Sequence, residues 1–460
     1  MNFISLIFLL FFIATFLIYW NIPKRARVGF LIFASLLYYG FYSPAFLAHF
    51  VFVILLNYAF VYFTQKTKSR AWVALGVTLN ITHLIFFKYF NALFTLLAPA
   101  VGIATPAAFK VVMPLAISFY TFQFIAFQVD VYRGIQGNNP KYPQIDVSFS
   151  RYALFMLFFP HLISGPILRS SDFYARIGDE QLNRESQVSG VYLIALGLFK
   201  KLFIADAIGY FINPIFKAPL DYGSVDTLLV IFGYSAQLYT DFSGFIDMAR
   251  GMAKLFGYDL PANFRSPYFS TSFSEFWARW HITLSVFIRE YLYIPLGGNR
   301  VGLFRQYFNL MTAMVLSGIW HGETLNFFIW GALHGVYLCG EKILKISKNA
   351  ETSLSWFIRN SWVVLGWSFS LIFFRSPDFQ TAAQILKQVF VWKTATLSWG
   401  FILLLIIVTW LIQFLEMRRE KILAALVPRA RIVIPALAVL LWFLISRVQI
   451  PNEAFIYVQF

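Results

Sequence analysis

Long runs of apolar residues recur along the whole chain, and they constrain its fold more than any other feature. One covers Met1–Tyr19 (MNFISLIFLLFFIATFLIY), and another covers Gly400–Leu415. A helix needs about 20 such residues to cross the hydrocarbon layer of a bilayer. Because only 13% of the residues are charged and 59% are hydrophobic, a water-soluble protein of this length is excluded. The chain is therefore predicted to be an all-α, polytopic membrane protein.

The apolar runs predict roughly 11–13 membrane segments, some of them re-entrant. They lie near residues 3–20, in two runs that end near Tyr42 and Phe63, and near residues 72–98, 111–129, 151–167, 187–213, 226–246, 309–320, 324–344, 355–375, 399–416 and 432–447. The first run has no basic region and no small-residue cleavage site before Asn21, so we interpret it as a retained helix rather than a signal peptide. Without a repeat or a soluble linker, residues 1–460 are predicted to form one integral membrane domain.

The basic residues that give the chain a formal net charge of +16 are distributed as membrane topology predicts. Basic residues cluster in short loops between apolar runs, as at Lys24–Arg27 and Lys66–Arg70, whereas the turn at Ser43-Pro44 carries none. Since basic loops face the cytoplasm, we expect the N-terminus outside and the first loop in the cytoplasm. The basic cluster at 418–431 is interpreted as another cytoplasmic loop. This pattern favours a membrane protein over a nucleic-acid binder, and the remaining charge could attract an anionic donor or anionic lipid.

Metal and disulfide chemistry have little support in the sequence. The single cysteine, Cys339, excludes an intramolecular disulfide and a cysteine-rich metal site, and is interpreted as a small packed residue. The two candidate site histidines are His281 and His321. Neither has a cysteine or a carboxylate at metal-ligand spacing. We therefore expect no metal site and no bound cofactor.

The middle of the chain departs from the simple apolar pattern. From about Arg250 to Arg305 there is no clean apolar run, and aromatic residues interleave with Arg, Glu, His and Asn. Such a mixture suits interfacial helices or polar segments buried between other helices. Polar groups at membrane depth are costly and usually functional. This region is thus predicted to contain functional residues.

His321 is the strongest candidate among the six histidines. It lies between two apolar segments in LSGIWHGETLNFFIWGALHG, next to Trp320 and between Gly318 and Gly322. The glycines would let backbones or a substrate approach closely. A buried structural histidine would give a similar pattern, so the residues alone leave both interpretations open. His49 and His83 stand on apolar segments, where a structural or interfacial role is favoured.

Two further blocks carry polar residues near segment boundaries. In EFWARWHITLS, Glu275 and Arg279 can pair at helical spacing, which leaves His281 on another face. In YTDFSGFIDMARG, Asp241 and Asp247 could orient a histidine, bind a cation or cap helices.

Four collinear blocks resemble the membrane-bound O-acyltransferase family, in particular its bacterial branch that acetylates alginate and peptidoglycan. The blocks are FFPHLISGPILR (158–169), YTDFSGFIDMARG (239–251), FWARWHITLSVFIREYLYIPLGGNR (276–300) and LSGIWHG (316–322). The resemblance covers about 160–340 by motif and nearly the whole chain by hydropathy, and it implies a motif-bearing core at about 150–345. In it, His321 corresponds to the near-invariant family histidine and His281 to the second motif histidine. Gly165-Pro166 is predicted to mark a broken or re-entrant helix.

The resemblance implies a bacterial inner-membrane enzyme that takes an acetyl group from a cytoplasmic donor, acetyl-CoA, to a polysaccharide or peptidoglycan acceptor. It also implies a separate periplasmic partner of the SGNH-hydrolase type. A central polar tunnel would bring donor and acceptor to His321, the expected general base, while His281 would orient a substrate or stabilise an oxyanion. The candidate substrate-binding residues are Asp241, Asp247, Trp320, Asn299, Arg279 and Arg289, with Arg300 as a further phosphate contact; membrane-surface anchoring is the alternative for each arginine.

The residues are also compatible with other functions. The teichoic acid D-alanyltransferase branch shares the general motif pattern but usually lacks the YIPLGGNR motif. A transporter would also bury polar residues and break helices, although no half-to-half repeat is visible. A non-catalytic scaffold, or an enzyme that acylates a lipid or a protein, are the remaining alternatives.

Overall fold

The structure is a computed structural model that describes residues 3–98, 111–137, 141–142, 144–346 and 352–446. Within these ranges all regular structure is helical, which confirms the predicted all-α class. The first eight helices are α1 Leu6–Asn21, α2 Lys24–Gly40, α3 Pro44–Thr67, α4 Arg70–Leu97, α5 Ile117–Gln136, α6 Phe149–Leu157, α7 Phe159–Leu162 and α8 Ser170–Phe173.

The second part of the chain contains longer helices and two π-helical turns, Lys200–Ala205 and Arg289–Tyr293. Its α-helices are α9 Arg184–Phe199, α10 Asp206–Ile212, α11 Ser224–Leu255, α12 Phe273–Arg279, α13 Ile282–Ile288, α14 Leu303–His321, α15 Leu325–Ile343, α16 Ser353–Arg375, α17 Phe379–Gln388, α18 Trp399–Glu416, α19 Arg419–Leu426 and α20 Ala430–Ser446. The predicted loop at 418–431 is therefore wrong, because most of this basic cluster is helical.

Six spans in the described ranges are long and apolar enough to cross a membrane. They are Pro44–Thr67, Arg70–Thr95, Arg184–Phe216, Ser353–Arg375, Trp399–Glu416 and Arg419–Leu441. Large apolar side chains such as Phe52 and Leu404 point outward from them, which suits lipid and not water. The chain is thus a multi-pass membrane protein. The count of roughly 11–13 segments also included shorter and more polar helices, and it stays a prediction.

Local chemistry explains where several helices begin. The Ser43 hydroxyl accepts a hydrogen bond from Phe46 N at 3.3 Å, and Pro44 provides the fixed backbone angle suited to a first helical position. Asp378 caps α17 in the same way through Thr381 N at 2.7 Å. Each cap satisfies a backbone N–H group that the first turn of a helix leaves without a partner.

The described residues divide into two compact units. The first comprises the described parts of Met1–Ile194, Met248–Pro261 and Ile434–Ala438, and the second those of Ala195–Asp247, Ala262–Val433 and Val439–Phe460. The expectation of one functional domain stays a prediction.

Buried amides join three helices of the first unit. Asn57 of α3 exchanges hydrogen bonds with Asn80 of α4, at 2.6 and 3.3 Å, and accepts one from Gln128 of α5 at 2.9 Å. Such bonds hold helices together where the apolar surroundings give no hydrophobic driving force. In the same unit the chain is non-helical between α7 and α8, around Gly165, which confirms the predicted helix break.

The second unit holds most of the unusual middle region. Residues 262–302 form a 3-10 helix, short α12, short α13, a π-helical turn and turns, as the mixed composition predicted. The carboxylate of Glu341 on α15 accepts hydrogen bonds from Phe273 N and Ser274 N at the start of α12. Asn360 of α16 donates to the carbonyls of Tyr268 and Ser270 at 2.7 and 2.9 Å. These bonds fix the segment that precedes His281.

Candidate active site

His321 is the last residue of α14, and its side chain is enclosed by aromatic rings. The residue is only 3% exposed. Its ring centroid lies 4.8 Å from that of Trp320, 5.3 Å from that of Trp330 and 5.1 Å from that of Phe374. Enclosure of this kind excludes bulk water and strengthens the electrostatic interactions of the imidazole.

Two glycines bring α14 and α15 into backbone contact beside His321. A Cβ atom built on Gly318 would collide with the Phe327 carbonyl and lie 3.0 Å from the Gly331 Cα. A Cβ on Gly331 would lie 2.5 Å from the Met314 carbonyl oxygen. The prediction that glycine permits a close backbone approach here is confirmed, and this contact fixes the depth at which α14 presents His321.

His281 occupies a strained backbone position between α12 and α13. Its φ is 42° and its ψ is 52°, the left-handed region that costs a residue with a Cβ about 1–2 kcal/mol. Asn263 stabilises the arrangement, because its side-chain oxygen accepts hydrogen bonds from Thr283 N at 2.9 Å and from the Thr283 hydroxyl at 2.8 Å. Asn263 thus caps α13, and the His281 ring is not used as a cap.

The His281 side chain is fully buried against rings of two other helices. The Phe242 ring of α11 meets it edge to face at 4.8 Å, and the Trp320 ring of α14 lies 6.4 Å away. His281 lies outside the six apolar spans, and burial lowers the pKa of its ring to about 3, so the imidazole is neutral at neutral pH. Trp320 therefore contacts both predicted histidines, His281 and His321.

The two predicted aspartates lie inside α11 and pair with consecutive lysines. Asp241 lies 2.7 Å from the Lys201 ammonium, and Asp247 lies 2.6 Å from that of Lys200. Lys201 also contacts Asp206 at 2.7 Å. Both aspartates stand within α11, so neither caps the start of this helix, and the other roles predicted for them stay predictions. The cation that they bind is a protein ammonium group.

Sequence reasoning missed the two lysines. They occupy the π-helical turn Lys200–Ala205 and are almost completely buried. The signal that could have found them is FKKLFIAD, in which two lysines and an aspartate interrupt an otherwise apolar run. Charges at membrane depth are expensive and usually have a function or a partner, and π-helical turns frequently occur at functional sites.

Comparison with known proteins assigns the chain to a family. Residues 32–369 match the model of the membrane-bound O-acyltransferase family. The chain belongs to this family. The matched range includes both histidines, both aspartates and both lysines of the site. The family description and the O-acetyltransferase and O-acetylase names of similar proteins show that the chain is an acyltransferase. They do not support the alternatives of a transporter and of a non-catalytic scaffold.

Relatives of this O-acyltransferase carry names that mention peptidoglycan, alginate or teichoic acid. The chain is 36% identical to a peptidoglycan O-acetyltransferase of Helicobacter pylori, over 78% of this chain and 72% of the relative. It is 36% identical to a probable alginate O-acetylase of Azotobacter vinelandii, over 86% of this chain and 80% of the relative. A teichoic acid D-alanyltransferase of Streptococcus thermophilus is 32% identical over 49% of this chain and 55% of its own length.

The remaining predicted residues of this O-acyltransferase lie in more exposed surroundings. Arg279 pairs with Glu275 at 2.6 Å, as the helical spacing predicted. Arg289 is 60% exposed in its side chain and lies 3.4 Å from Glu290. The structure thus gives Arg279 and Arg289 acidic neighbours on their own segment, and their predicted contacts with a substrate stay predictions.

Asn299 joins a different set of groups on the same segment. Its side-chain oxygen accepts hydrogen bonds from the Tyr293 hydroxyl at 2.7 Å, from Gln306 at 2.6 Å and from the Lys342 ammonium at 3.2 Å. The exposed Arg300 follows it. Asn299 therefore fixes the loop between the π-helical turn and α14, and its role in substrate binding stays a prediction.

Proposed function

We propose that this protein is an O-acetyltransferase of the bacterial inner membrane that moves an acetyl group from acetyl-CoA in the cytoplasm to an exported polysaccharide or to peptidoglycan. The observation that carries the proposal is the similarity to two relatives with O-acetylating names, at 36% identity and over most of both chains. The positive-inside pattern supports a periplasmic N-terminus. A periplasmic protein of the SGNH-hydrolase type is the proposed partner that delivers the group to the polymer.

The proposed chemistry centres on the imidazole of His321. An alcohol is a poor nucleophile, and a neutral imidazole can accept its proton as a general base. The acceptor oxygen then attacks the thioester carbonyl carbon and the carbon–sulfur bond breaks. The imidazolium returns the proton to the departing thiolate, so that an ester and free CoA are formed.

The buried neighbours of His321 suit this step. Rings of Trp320, Trp330 and Phe374 keep water from the base, which protects the thioester from hydrolysis. His281, held by the capped start of α13, is proposed to donate a hydrogen bond to a substrate oxygen, where a positioned donor lowers the barrier. The proposal requires a polar tunnel that lets donor and acceptor reach His321 from opposite faces of the membrane.

The test is acetyl transfer by the purified protein in vesicles, with acetyl-CoA on one side and a polysaccharide acceptor on the other. His321→Ala should fold and lose about 10²–10⁴ in rate. His49→Ala is the matched control, because this histidine pairs with His83 at 2.9 Å in the first unit and should keep wild-type turnover. A His321→Ala protein that acetylates the acceptor at the wild-type rate would contradict the proposal.

D-alanyl transfer to teichoic acid is the second candidate, favoured by the similarity to D-alanyltransferases over about half of the chain. The same vesicle assay separates the two functions when acetyl-CoA is replaced by a D-alanyl thioester. Acyl transfer from the D-alanyl donor alone would replace the first proposal with the second.

A further inference from the structure

His334 on α15 is a fully buried histidine that the proposed chemistry does not use. Its ring centroid lies 4.8 Å from that of Trp330 and 5.2 Å from that of Trp277. The Trp330 and Trp277 rings also contact each other at 5.8 Å. Since Trp330 lies against His321 as well, this three-ring cluster borders the candidate base.

The hydrogen bonds of Ser370 determine which nitrogen of His334 carries the proton. The Ser370 hydroxyl lies 2.7 Å from the Trp367 carbonyl oxygen, which can only accept, so the hydroxyl donates its one hydrogen there. His334 Nε2 lies 3.0 Å from the same hydroxyl oxygen, so Nε2–H must donate to it. In the neutral ring, Nδ1 then carries a lone pair and no hydrogen.

The lone pair of His334 Nδ1 has no hydrogen-bond partner among the described residues. The same is true, within that part of the chain, of the indole N–H groups of Trp277 and Trp330. Buried polar groups are nearly always satisfied, by protein, by ordered water or by a ligand. The cluster therefore holds one unused acceptor and two unused donors on rings that touch one another.

We propose that His334 Nδ1 and the indole N–H groups of Trp277 and Trp330 form a hydroxyl-binding subsite beside His321. A hydroxyl group donates one hydrogen bond and accepts two, which matches the three unused groups. The hydroxyl belongs either to an ordered water molecule or to the alcohol of the acceptor. The role of this subsite in catalysis rests on the proposed acetyl transfer. Its occupation by a hydroxyl group does not depend on that proposal.

Two substitutions at position 334 separate this role from a structural one. In His334→Gln the side-chain amide reaches the Nε2 position and keeps a donor for Ser370, but the acceptor at Nδ1 is lost. In His334→Asn the amide oxygen replaces Nδ1, while the bond to Ser370 is lost. If the subsite binds a hydroxyl, the Gln variant loses at least tenfold in kcat/KM and the Asn variant retains most of it. The opposite order, or wild-type kcat/KM in the Gln variant, would overturn the proposal.

The kinetic constants identify the source of the hydroxyl. An acceptor alcohol predicts a higher KM for the acceptor in His334→Gln with an unchanged KM for acetyl-CoA. An ordered water predicts a lower kcat with both KM values unchanged. Trp277→Phe removes one indole N–H and keeps an aromatic ring, so it should lower kcat/KM in the same direction. If the position-334 variants do not fold, an unchanged kcat/KM in Trp277→Phe overturns the proposal.

A direct structural readout does not depend on activity. An experimental density map of the wild-type protein should contain an oxygen-sized peak within hydrogen-bond distance of His334 Nδ1 and of one indole nitrogen. Continuous apolar packing around Nδ1 would overturn the subsite. An inactive wild-type protein with this peak present would instead contradict the proposed acetyl transfer alone.

Discussion

The carboxylate of Asp241 lies 2.7 Å from the ammonium of Lys201. The next residue of α11, Phe242, places its ring edge to face against His281. The ion pair thus anchors the turn of α11 that supports the second site histidine. Both charges are almost completely removed from solvent, so the pair depends on its mutual contacts rather than on water.

Lys201→Met should strongly destabilise the folded protein. Removal of one partner leaves the carboxylates of Asp241 and Asp206 buried without this cation, which typically costs about 3–5 kcal/mol. Lys201→Arg should cost less because it keeps the charge. Thermal unfolding in detergent measures the difference, and the double variant Lys201→Met with Asp241→Asn should recover part of the loss. A Lys201→Met protein as stable as the wild type would show that the ion pair does not anchor α11.

His281→Asn should separate folding from turnover. Asparagine tolerates the left-handed backbone better than most residues, so the variant should fold with near wild-type stability. Loss of a positioned hydrogen-bond donor at an oxyanion costs about 10²–10³ in kcat, and acetyl transfer should fall by that order. Full activity in the folded Asn variant would remove His281 from the chemistry, and His281→Ala shows how much stability the backbone strain costs.

Gly331→Val should disturb the packing of α14 on α15. Its side chain meets the Met314 carbonyl, and overpacking of this kind typically costs about 1–3 kcal/mol. Gly340→Ala on the same helix is the matched control, since a Cβ there meets nothing within 4 Å and alanine favours a helix by up to about 1 kcal/mol. Unfolding midpoints of the two proteins should therefore move in opposite directions. Equal midpoints would mean that α15 can move away from α14 without cost.

Asn263→Ala should loosen the start of α13. The variant loses the acceptor for Thr283 N and the Thr283 hydroxyl, and loss of a helix cap costs about 0.5–2 kcal/mol. Hydrogen exchange of the first turn of α13 should accelerate and kcat should fall, whereas Asn263→Asp, which keeps an acceptor oxygen, should behave more like the wild type. Unchanged exchange in the Ala variant would indicate that the turn is held by other contacts.

Features that depend on neighbouring residues could be predicted from the sequence. Apolar length gave the all-α membrane class, helical spacing gave the Glu275–Arg279 pair, and Gly165-Pro166 indicated the interrupted helix. The close approach at Gly318 also followed from residue type alone, because only glycine leaves room for a facing backbone.

Features that depend on distant parts of the chain could not be predicted. Lys200 was hidden because the hydropathy of its segment is high on average, and its partners Asp247 and Glu416 come from α11 and α18. The proton position of His334 follows only from Ser370 on α16. The sequence of one segment does not indicate which distant helix will pack against that segment.

The buried lysine pairs have a consequence for how the protein is made. A lysine at the centre of a spanning helix costs about 2.5–3.5 kcal/mol during insertion, and Arg184–Phe216 carries Lys200 and Lys201. The carboxylates that neutralise them stand mainly on α11 and α18, which leave the ribosome later. This segment is therefore stable in the bilayer only after the helices that carry these carboxylates have been synthesised. Its insertion must be cooperative with that of α11 and α18 rather than sequential.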